Sequence, residues 1–185
     1  MKFVVPTALV LSLTACISQK SSLPFYYDVG AFELISQDGQ PFHSEVLHGK
    51  VWVADFIYTT CPGPCPRMTS QMREVQDATI KIPDVKLVSF TVDPARDTPA
   101  VLAEYAKTHR ASTEQWYFLT GPQETLQRLD RDTFKLGNVD ASLQHSTRFV
   151  LIDRQAHIRG YYDTSESQAI PRLIKDIFVL VRERS

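Results

Sequence analysis

Cys61 and Cys65 are the residues of this 185-residue chain whose type and spacing most clearly predict chemistry. Three residues separate them, and the third cysteine, Cys16, lies near the N-terminus. A chain of this length can bury a core without a disulfide, and a bridge across so short a loop would constrain little of the unfolded state. We therefore expect the pair to serve chemistry, either binding a soft metal ion or cycling between dithiol and disulfide.

The segment around the cysteines predicts a strand, a loop and a helix in that order. Residues 51–58 are a β-branched and aromatic run of the kind found in a buried central strand. Pro62, Pro64 and Pro66 forbid a regular helix across the cysteines, and a helical pattern resumes at Pro66. The loop thus leads into a helix N-terminus, which favours the thiolate form of a cysteine.

The rest of the chain alternates between strand and helix patterns. Predicted strands cover residues 31–36, 51–58, 85–92, 116–119, 148–152 and 158–162, and predicted helices begin near residues 66, 98, 122 and 167. This alternation predicts one α/β domain with a central, mostly parallel sheet and helices on both faces. A net charge of −1 provides no whole-molecule field to recruit nucleic acid or an anionic membrane surface.

The N-terminus predicts export. Lys2 precedes an apolar run over residues 3–13, which is roughly half the ~20 residues of a membrane-spanning helix. Residues 13–16, Leu-Thr-Ala-Cys, resemble a bacterial lipoprotein box in which the cysteine is acylated. We expect a signal peptide with a lipobox over residues 1–16, a tether over 17–30 and the folded domain over 31–185. The alternative is a signal cut elsewhere or a short uncleaved anchor, with Cys16 incidental.

A copper site would need a further donor besides two sulfurs, and imidazole suits this role. Of the five histidines, His145 lies in a predicted loop from which a thioredoxin-like fold would bring it towards the cysteines, although spacing alone does not single it out. Structural zinc usually has four ligands at recognisable spacing, and the second pair is missing. The usual redox motif has two intervening residues rather than three. The residues alone leave copper binding and thiol exchange open.

Three segments together resemble the Sco family of copper metallochaperones. They are residues 60–66, Thr-Cys-Pro-Gly-Pro-Cys-Pro, residues 90–99, Phe-Thr-Val-Asp-Pro-Ala-Arg-Asp-Thr-Pro, and residues 145–153, His-Ser-Thr-Arg-Phe-Val-Leu-Ile-Asp. Their order and spacing agree with the family from about residue 32 to the end. The resemblance implies a thioredoxin-like fold that binds one copper ion, as Cu(I) or Cu(II), through Cys61, Cys65 and His145. Many relatives have an acidic residue where this chain has Gln144.

The resemblance also implies a function, that of a metallochaperone rather than an enzyme. Such a protein delivers copper to the binuclear copper site of cytochrome c oxidase, or prepares the thiols of that site. Its implied partners are the oxidase subunit with that site and other thiol or copper-transfer proteins. Asp93 occupies the family's acidic position after a strand, either beside the metal ligands or as a turn residue. Arg96 and Asp97 are expected to brace that loop with each other.

The lipobox predicts that the chain is a membrane-anchored lipoprotein on the periplasmic side of a bacterial envelope. The membrane is then a further partner. The alternative function is an extracytoplasmic thiol-disulfide oxidoreductase, in which Cys61 and Cys65 form a redox disulfide and no metal takes part. A peroxide-reducing enzyme of similar fold is disfavoured, because nothing in the chain resembles its dedicated active-site motif. His145 discriminates between copper binding and thiol exchange, since only copper binding requires it.

Overall fold

The computed structural model of the chain describes residues 23–137 and 146–183. The predicted signal peptide, the predicted lipidation site Cys16 and the predicted copper ligand His145 lie outside these ranges. Within them, the helices are all too short or too polar to cross a membrane.

The described chain alternates between strands and helices, as the sequence pattern predicts. The strands are β1 (Glu33–Ser36), β2 (Pro41–His43), β3 (Val51–Ile57), β4 (Val85–Thr91), β5 (Trp116–Thr120), β6 (Arg148–Ile152) and β7 (Ile158–Asp163). The helices are α1 (Cys65–Thr79), α2 (Pro99–Thr108), α3 (Gln123–Arg128) and α4 (Ala169–Arg182). A 3₁₀ turn covers Ser44–Leu47, and a π-helical turn covers Leu129–Thr133.

The strands form one sheet in the order β2-β1-β5-β4-β3-β6-β7, so the predicted α/β architecture is confirmed. The sheet is mixed, however, and not mostly parallel as predicted. Only β3 with β4 and β4 with β5 pair in parallel, and the other four pairings are antiparallel. Connection length explains two of the antiparallel pairings. Short turns join β1 to β2 and β6 to β7, and such turns can only connect antiparallel neighbours.

Helices cover both faces of the sheet, as predicted. Apolar side chains of α1, α2 and α4 pack with Val53 and Ile57 on one face. Leu126 of α3 and Phe134 pack with Trp52 and Phe56 on the other. All seven residues of β3 are buried, because the strand is central and has helical cover on both sides.

Strand direction gives the sheet two ends, which we call the cysteine pole and the distal pole. The parallel strands β3, β4 and β5 end at Ile57, Thr91 and Thr120. We call this end of the sheet the cysteine pole. The same strands start at the distal pole, where the antiparallel strand β6 ends at Ile152 opposite Trp52. The loops that follow β3 and β4 therefore lie side by side at the cysteine pole.

Residues 23–30, which the sequence analysis placed in the tether, lie against the first residues of β7. The Tyr26 N–H donates to the Ile158 carbonyl at 3.0 Å, and the Ile158 N–H donates to the Tyr27 carbonyl at 2.7 Å. The Val29 N–H donates to the Ala156 carbonyl at 2.7 Å. The packed part of the chain thus begins before residue 31. This segment attaches mainly through backbone groups, which leave no side-chain periodicity for sequence analysis to detect.

Candidate metal centre

Both cysteines lie at the cysteine pole, between β3 and α1. Cys61 lies in the loop, and Cys65 is the first residue of α1 with Pro64 as its N-cap, so the predicted helix N-terminus is confirmed. Pro66 is tolerated at the second position of α1 because its missing N–H would have no partner within the helix. Both side chains are thiols not joined in a disulfide, and both are buried, with Cys61 8% exposed and Cys65 1%. Cys61 is therefore the more accessible sulfur.

The two thiols differ in their hydrogen bonds and therefore in acidity. The Cys61 sulfur accepts the Gly63 N–H at 3.4 Å and is hydrogen-bonded to the Cys65 thiol and the Tyr58 hydroxyl. Burial opposes ionisation of Cys61, but these hydrogen bonds outweigh it and lower its pKa below the ordinary thiol value. Burial and the hydrogen bond to Cys61 raise the pKa of Cys65. The first thiolate to form is therefore that of Cys61.

Asp93 lies in the loop after β4, beside the cysteine loop. Its carboxylate is 3.7 Å from the Arg96 guanidinium, and its carbonyl accepts the Arg96 and Asp97 N–H groups in a turn. The hydrogen bond to Cys61, burial and the nearby charges, including that of Asp93, raise the pKa of Tyr58. Asp93 thus forms a turn through its backbone, and the charge of its carboxylate is one of the smaller causes of the raised pKa of Tyr58.

Two sulfurs are the metal donors that the described residues bring together at this pole. Across residues 23–137 and 146–183, no group of three or more His, Cys, Asp or Glu side chains is close enough to hold a metal ion. Asp93 therefore does not complete a three-donor site with the cysteines. A third donor of the His, Cys, Asp or Glu type would have to come from residues outside the described ranges.

Asp97 ties the cysteine loop to the end of β4. Its buried carboxylate accepts the Thr59 N–H at 3.2 Å, and the hydroxyls of Thr59 and Thr91 at 2.5 Å each. The predicted brace between Arg96 and Asp97 is therefore wrong. The Arg96 side chain is 70% exposed and faces Asp93, whereas Asp97 turns inward because two threonines supply the donors that a buried carboxylate needs.

We expect Asp97→Ala to destabilise the fold by about 3 kcal/mol, because it removes the acceptor of three hydrogen bonds and leaves the buried Thr91 hydroxyl and the partly buried donors of Thr59 without that acceptor. Urea unfolding of the reduced protein measures the change. Asp77→Ala is the matched control, since Asp77 is 59% exposed and forms a surface ion pair with Arg73. This control should cost less than about 1 kcal/mol. Equal losses in the two variants would contradict the role of Asp97 as a brace.

Sequence reasoning missed two residues that shape the site, Tyr58 and Asp55. The Asp55 carboxylate is fully buried in β3 and accepts the Ser89 hydroxyl at 2.6 Å, while its second oxygen has no partner among the described residues. Burial raises the pKa of Asp55 to about 7. After burial and the hydrogen bond to Cys61, the charge of Asp55 is a further cause of the raised pKa of Cys65. The available signal was one carboxylate within an apolar strand pattern.

The chain matches the model of one protein family, SCO1/SenC, over residues 24–181. A curated relative, the SCO1 protein homolog of Bacillus subtilis, is 33% identical over 174 residues, which cover 90% of this chain and 90% of that protein. The match begins at residue 24, within the segment that lies against β7. The matched residues include the cysteine pole and also residues 138–145, which contain His145 and lie outside the described ranges.

Three solved structures are similar to this fold. A SCO1/SenC family lipoprotein from Bacillus anthracis is 32% identical with a TM-score of 0.78, covering 89% of this chain and 99% of its own. BsSco, a Sco-family cytochrome c oxidase assembly protein with a disulfide switch, is 30% identical with a TM-score of 0.78, covering 90% and 99%. Copper-bound ScoI of Arabidopsis thaliana is 25% identical with a TM-score of 0.67, covering 81% and 98%. These neighbours confirm the predicted thioredoxin-like fold.

Proposed function

The chain belongs to the SCO1/SenC family, and from this premise we propose that it is a membrane-tethered copper chaperone. It holds one copper ion through Cys61, Cys65 and His145 and delivers it to the binuclear copper site of cytochrome c oxidase. The observation that carries the proposal is the pair of thiols, hydrogen-bonded to each other, in the loop before α1 and at its first residue. Relatives support it, since Arabidopsis ScoI binds copper and BsSco belongs to a family of oxidase assembly proteins.

The donor chemistry of the cysteine pole fits copper. Thiolates are soft donors that select copper over hard cations, and imidazole is a suitable third ligand. His145 is three residues before Arg148, which begins β6. Because β6 pairs antiparallel with β3, with Val150 opposite Ala54, the chain enters β6 at the cysteine pole. This connection supports His145 as the third donor.

Copper is the cargo in this function, and release occurs by ligand exchange. The Cys61 thiolate forms first and is the more exposed sulfur, so the ion enters and leaves at Cys61, while Cys65 is nearly inaccessible. Three protein donors leave the coordination shell open, so a ligand of the acceptor can bind the ion before the chaperone releases it. Asp97 contributes by holding the cysteine loop against the end of β4.

The test is an anaerobic copper titration of the reduced and the disulfide-oxidised full chain. We expect the reduced chain to bind one equivalent of copper and the oxidised chain to bind none, because oxidation removes both thiolates. Thiolate-to-Cu(II) charge transfer in the visible spectrum reports on sulfur coordination, and thiol titration confirms the redox state of each sample. Equal copper binding by both samples would contradict the assignment of the cysteines as ligands.

Thiol-disulfide exchange is the second candidate function, because the same geometry favours it. Cys61 and Cys65 are hydrogen-bonded to each other, so a disulfide can form with little movement. In such a reaction the Cys61 thiolate attacks a partner disulfide, the Cys65 thiolate resolves the mixed disulfide, and the partner leaves with two thiols. BsSco has a disulfide switch. The two functions share the cysteines and differ in their need for His145.

The site of action that we propose is the periplasmic side of a bacterial membrane, with the chain anchored through acylated Cys16. The lipobox over residues 13–16 supports this anchor. The likeness to the Bacillus anthracis SCO1/SenC lipoprotein is further support. An anchored chaperone meets the oxidase within one membrane, which restricts its search for the acceptor.

A further inference from the structure

Three consecutive aromatic side chains near the N-terminus are exposed, although the backbone that carries them is fixed. Phe25, Tyr26 and Tyr27 are 59%, 44% and 47% exposed. The segment is held by hydrogen bonds to β7, and the Phe25 ring lies 4.8 Å from the His157 ring, centroid to centroid. Tyr26 contacts Tyr161 at 5.3 Å. Exposed aromatic side chains on a hydrogen-bonded segment indicate an interaction surface.

Arg159 fixes this segment to the distal pole. Its guanidinium donates to the Leu23 and Pro24 carbonyls at 2.8 Å each, and to the buried Asp153 carboxylate at 2.7 Å. Asp153 directly follows the end of β6, which is a distal-pole position. Seven-residue β3 separates this pole from the cysteine pole by about 20 Å. The chain therefore enters the domain at the end opposite the cysteines.

Other exposed apolar residues share this pole. Val46, 52% exposed, lies in the 3₁₀ turn before β3, and Ile80, 47% exposed, follows α1 shortly before β4 begins. We call Phe25, Tyr26, Tyr27, Val46 and Ile80 the distal apolar surface. These are five of the seven large apolar side chains that are exposed in the part of the chain that the structure describes. The concentration at one pole is not expected of scattered surface residues.

Lysines accompany the distal apolar surface. Lys81 is exposed next to Ile80, and the Lys135 ammonium lies 5.5 Å from the centre of the Tyr27 ring. The Asp84 carboxylate at this pole is neutralised by Lys50, at 2.7 Å, and by Arg154, at 3.2 Å. Two exposed carboxylates also lie here: Asp28, beside Tyr27, is 3.3 Å from the His157 ring, and Glu45 is beside Val46. Aromatic rings with lysines are the combination that proteins place in the interfacial region of a bilayer, where lysines meet anionic headgroups.

We propose that the distal apolar surface docks on the lipid bilayer and holds the domain with the cysteine pole facing away from the membrane. This inference rests on the proposed anchor at Cys16. Only residues 17–22 separate Cys16 from Leu23, and six residues span at most about 20 Å, so the anchor keeps the distal pole within reach of the headgroups. The acceptor then approaches the cysteines from the aqueous side.

The test places a tryptophan at either pole of the full anchored chain. Phe25→Trp reports from the distal apolar surface, and Val101→Trp is the matched control, because Val101 is 40% exposed near the start of α2 at the cysteine pole. Both variants are reconstituted in vesicles of phosphatidylethanolamine and phosphatidylglycerol, with or without brominated acyl chains. Emission is read as the difference from the wild type, whose Trp52 and Trp116 are buried.

Brominated lipid should quench and blue-shift the added emission of Phe25→Trp and leave that of Val101→Trp unchanged. Equal quenching at both positions, or none at either, in chains that sediment with the vesicles would overturn the docking while leaving the anchor intact. A chain that does not sediment would contradict both. Copper binding by both variants should match the wild type, so failure of the chaperone function would be seen separately.

Discussion

Replacing His145 with alanine should lower the affinity of the reduced chain for copper by at least about 100-fold. Loss of a group that merely supports a metal ligand already costs 10–100-fold, and His145 is proposed to bind the ion itself. The described residues supply two sulfurs and no three-donor cluster at the cysteine pole, so little remains to replace the imidazole. The thiols should stay reactive, because their hydrogen bonds involve Tyr58 and Gly63.

Anaerobic titration against a copper chelator of known affinity measures this change. His48→Ala is the matched control, because His48 is exposed and lies in the segment before β3 at the distal pole. This control should bind copper like the wild type, and both variants should retain thiol exchange with a small-molecule disulfide. If His145→Ala bound copper as tightly as the control, the donor set would be wrong. If cells that carry His145→Ala behaved like the wild type and the variant kept its thiol exchange, the oxidoreductase function would be favoured.

The segments that position the cysteines were predictable because they follow local rules. The apolar run of β3 is a central strand buried on both faces, and proline chemistry separates it from α1. The bounds of β6, Arg148–Ile152, agree with the predicted strand. Each signal lies within a few residues of the element it specifies, so one sequence is enough to read it.

The pairing of strands was less predictable because it depends on distant parts of the chain. β2 was missed, since three residues with only Phe42 buried leave too short an alternation to recognise. β1 and β5 are far apart in sequence, and their antiparallel pairing depends on the path of the chain between them. No local sequence pattern indicates this pairing. The mixed sheet followed from these connections.

Polar contacts at the site were the least predictable features. Asp97 was assigned to Arg96 because the two are adjacent in sequence, but its donors are Thr59 and Thr91, which reach it from the ends of two parallel strands. Tyr58 likewise contacts Cys61 only because the loop folds back on the end of β3. Hydrogen bonds of this kind depend on tertiary geometry. Side-chain chemistry alone nominates the pair Cys61 and Cys65, whereas His145 is nominated by the family resemblance.

Asp55→Asn should stabilise the apo chain above neutral pH and remove much of its pH dependence. The pKa of Asp55 is raised from 3.8 to about 7 by burial, so the folded state holds a proton that the unfolded state has lost between these values. Stability is therefore greatest below the unfolded pKa and falls as pH rises through the folded value. The three-unit shift corresponds to a loss on the order of 4 kcal/mol by about pH 8. Asparagine keeps the acceptor for Ser89 and cannot ionise.

Urea unfolding of the reduced, copper-free chain from about pH 4 to about pH 8 tests this, because the wild type and Asp55→Asn should differ little in acid and diverge as pH rises. Asp130 provides a companion variant, since burial raises its pKa to about 7 as well, while it lies on the π-helical turn of Leu129–Thr133 and not in a strand. Asp130→Asn should remove a second contribution in the same pH range, because the pKa of each carboxylate is raised from 3.8 to about 7. The two changes should add, because the carboxylates share no partner among the described residues.

Stability curves of the wild type and Asp55→Asn that run parallel across this range would show that Asp55 is ionised in the folded protein. Its negative charge would then act on the Cys65 thiol even at about pH 5, and copper affinity at that pH would rise with substitution. With a folded-state pKa of about 7, Asp55 is instead protonated at about pH 5, and the substitution leaves copper affinity at that pH unchanged, so stability and metal binding report on the same proton independently.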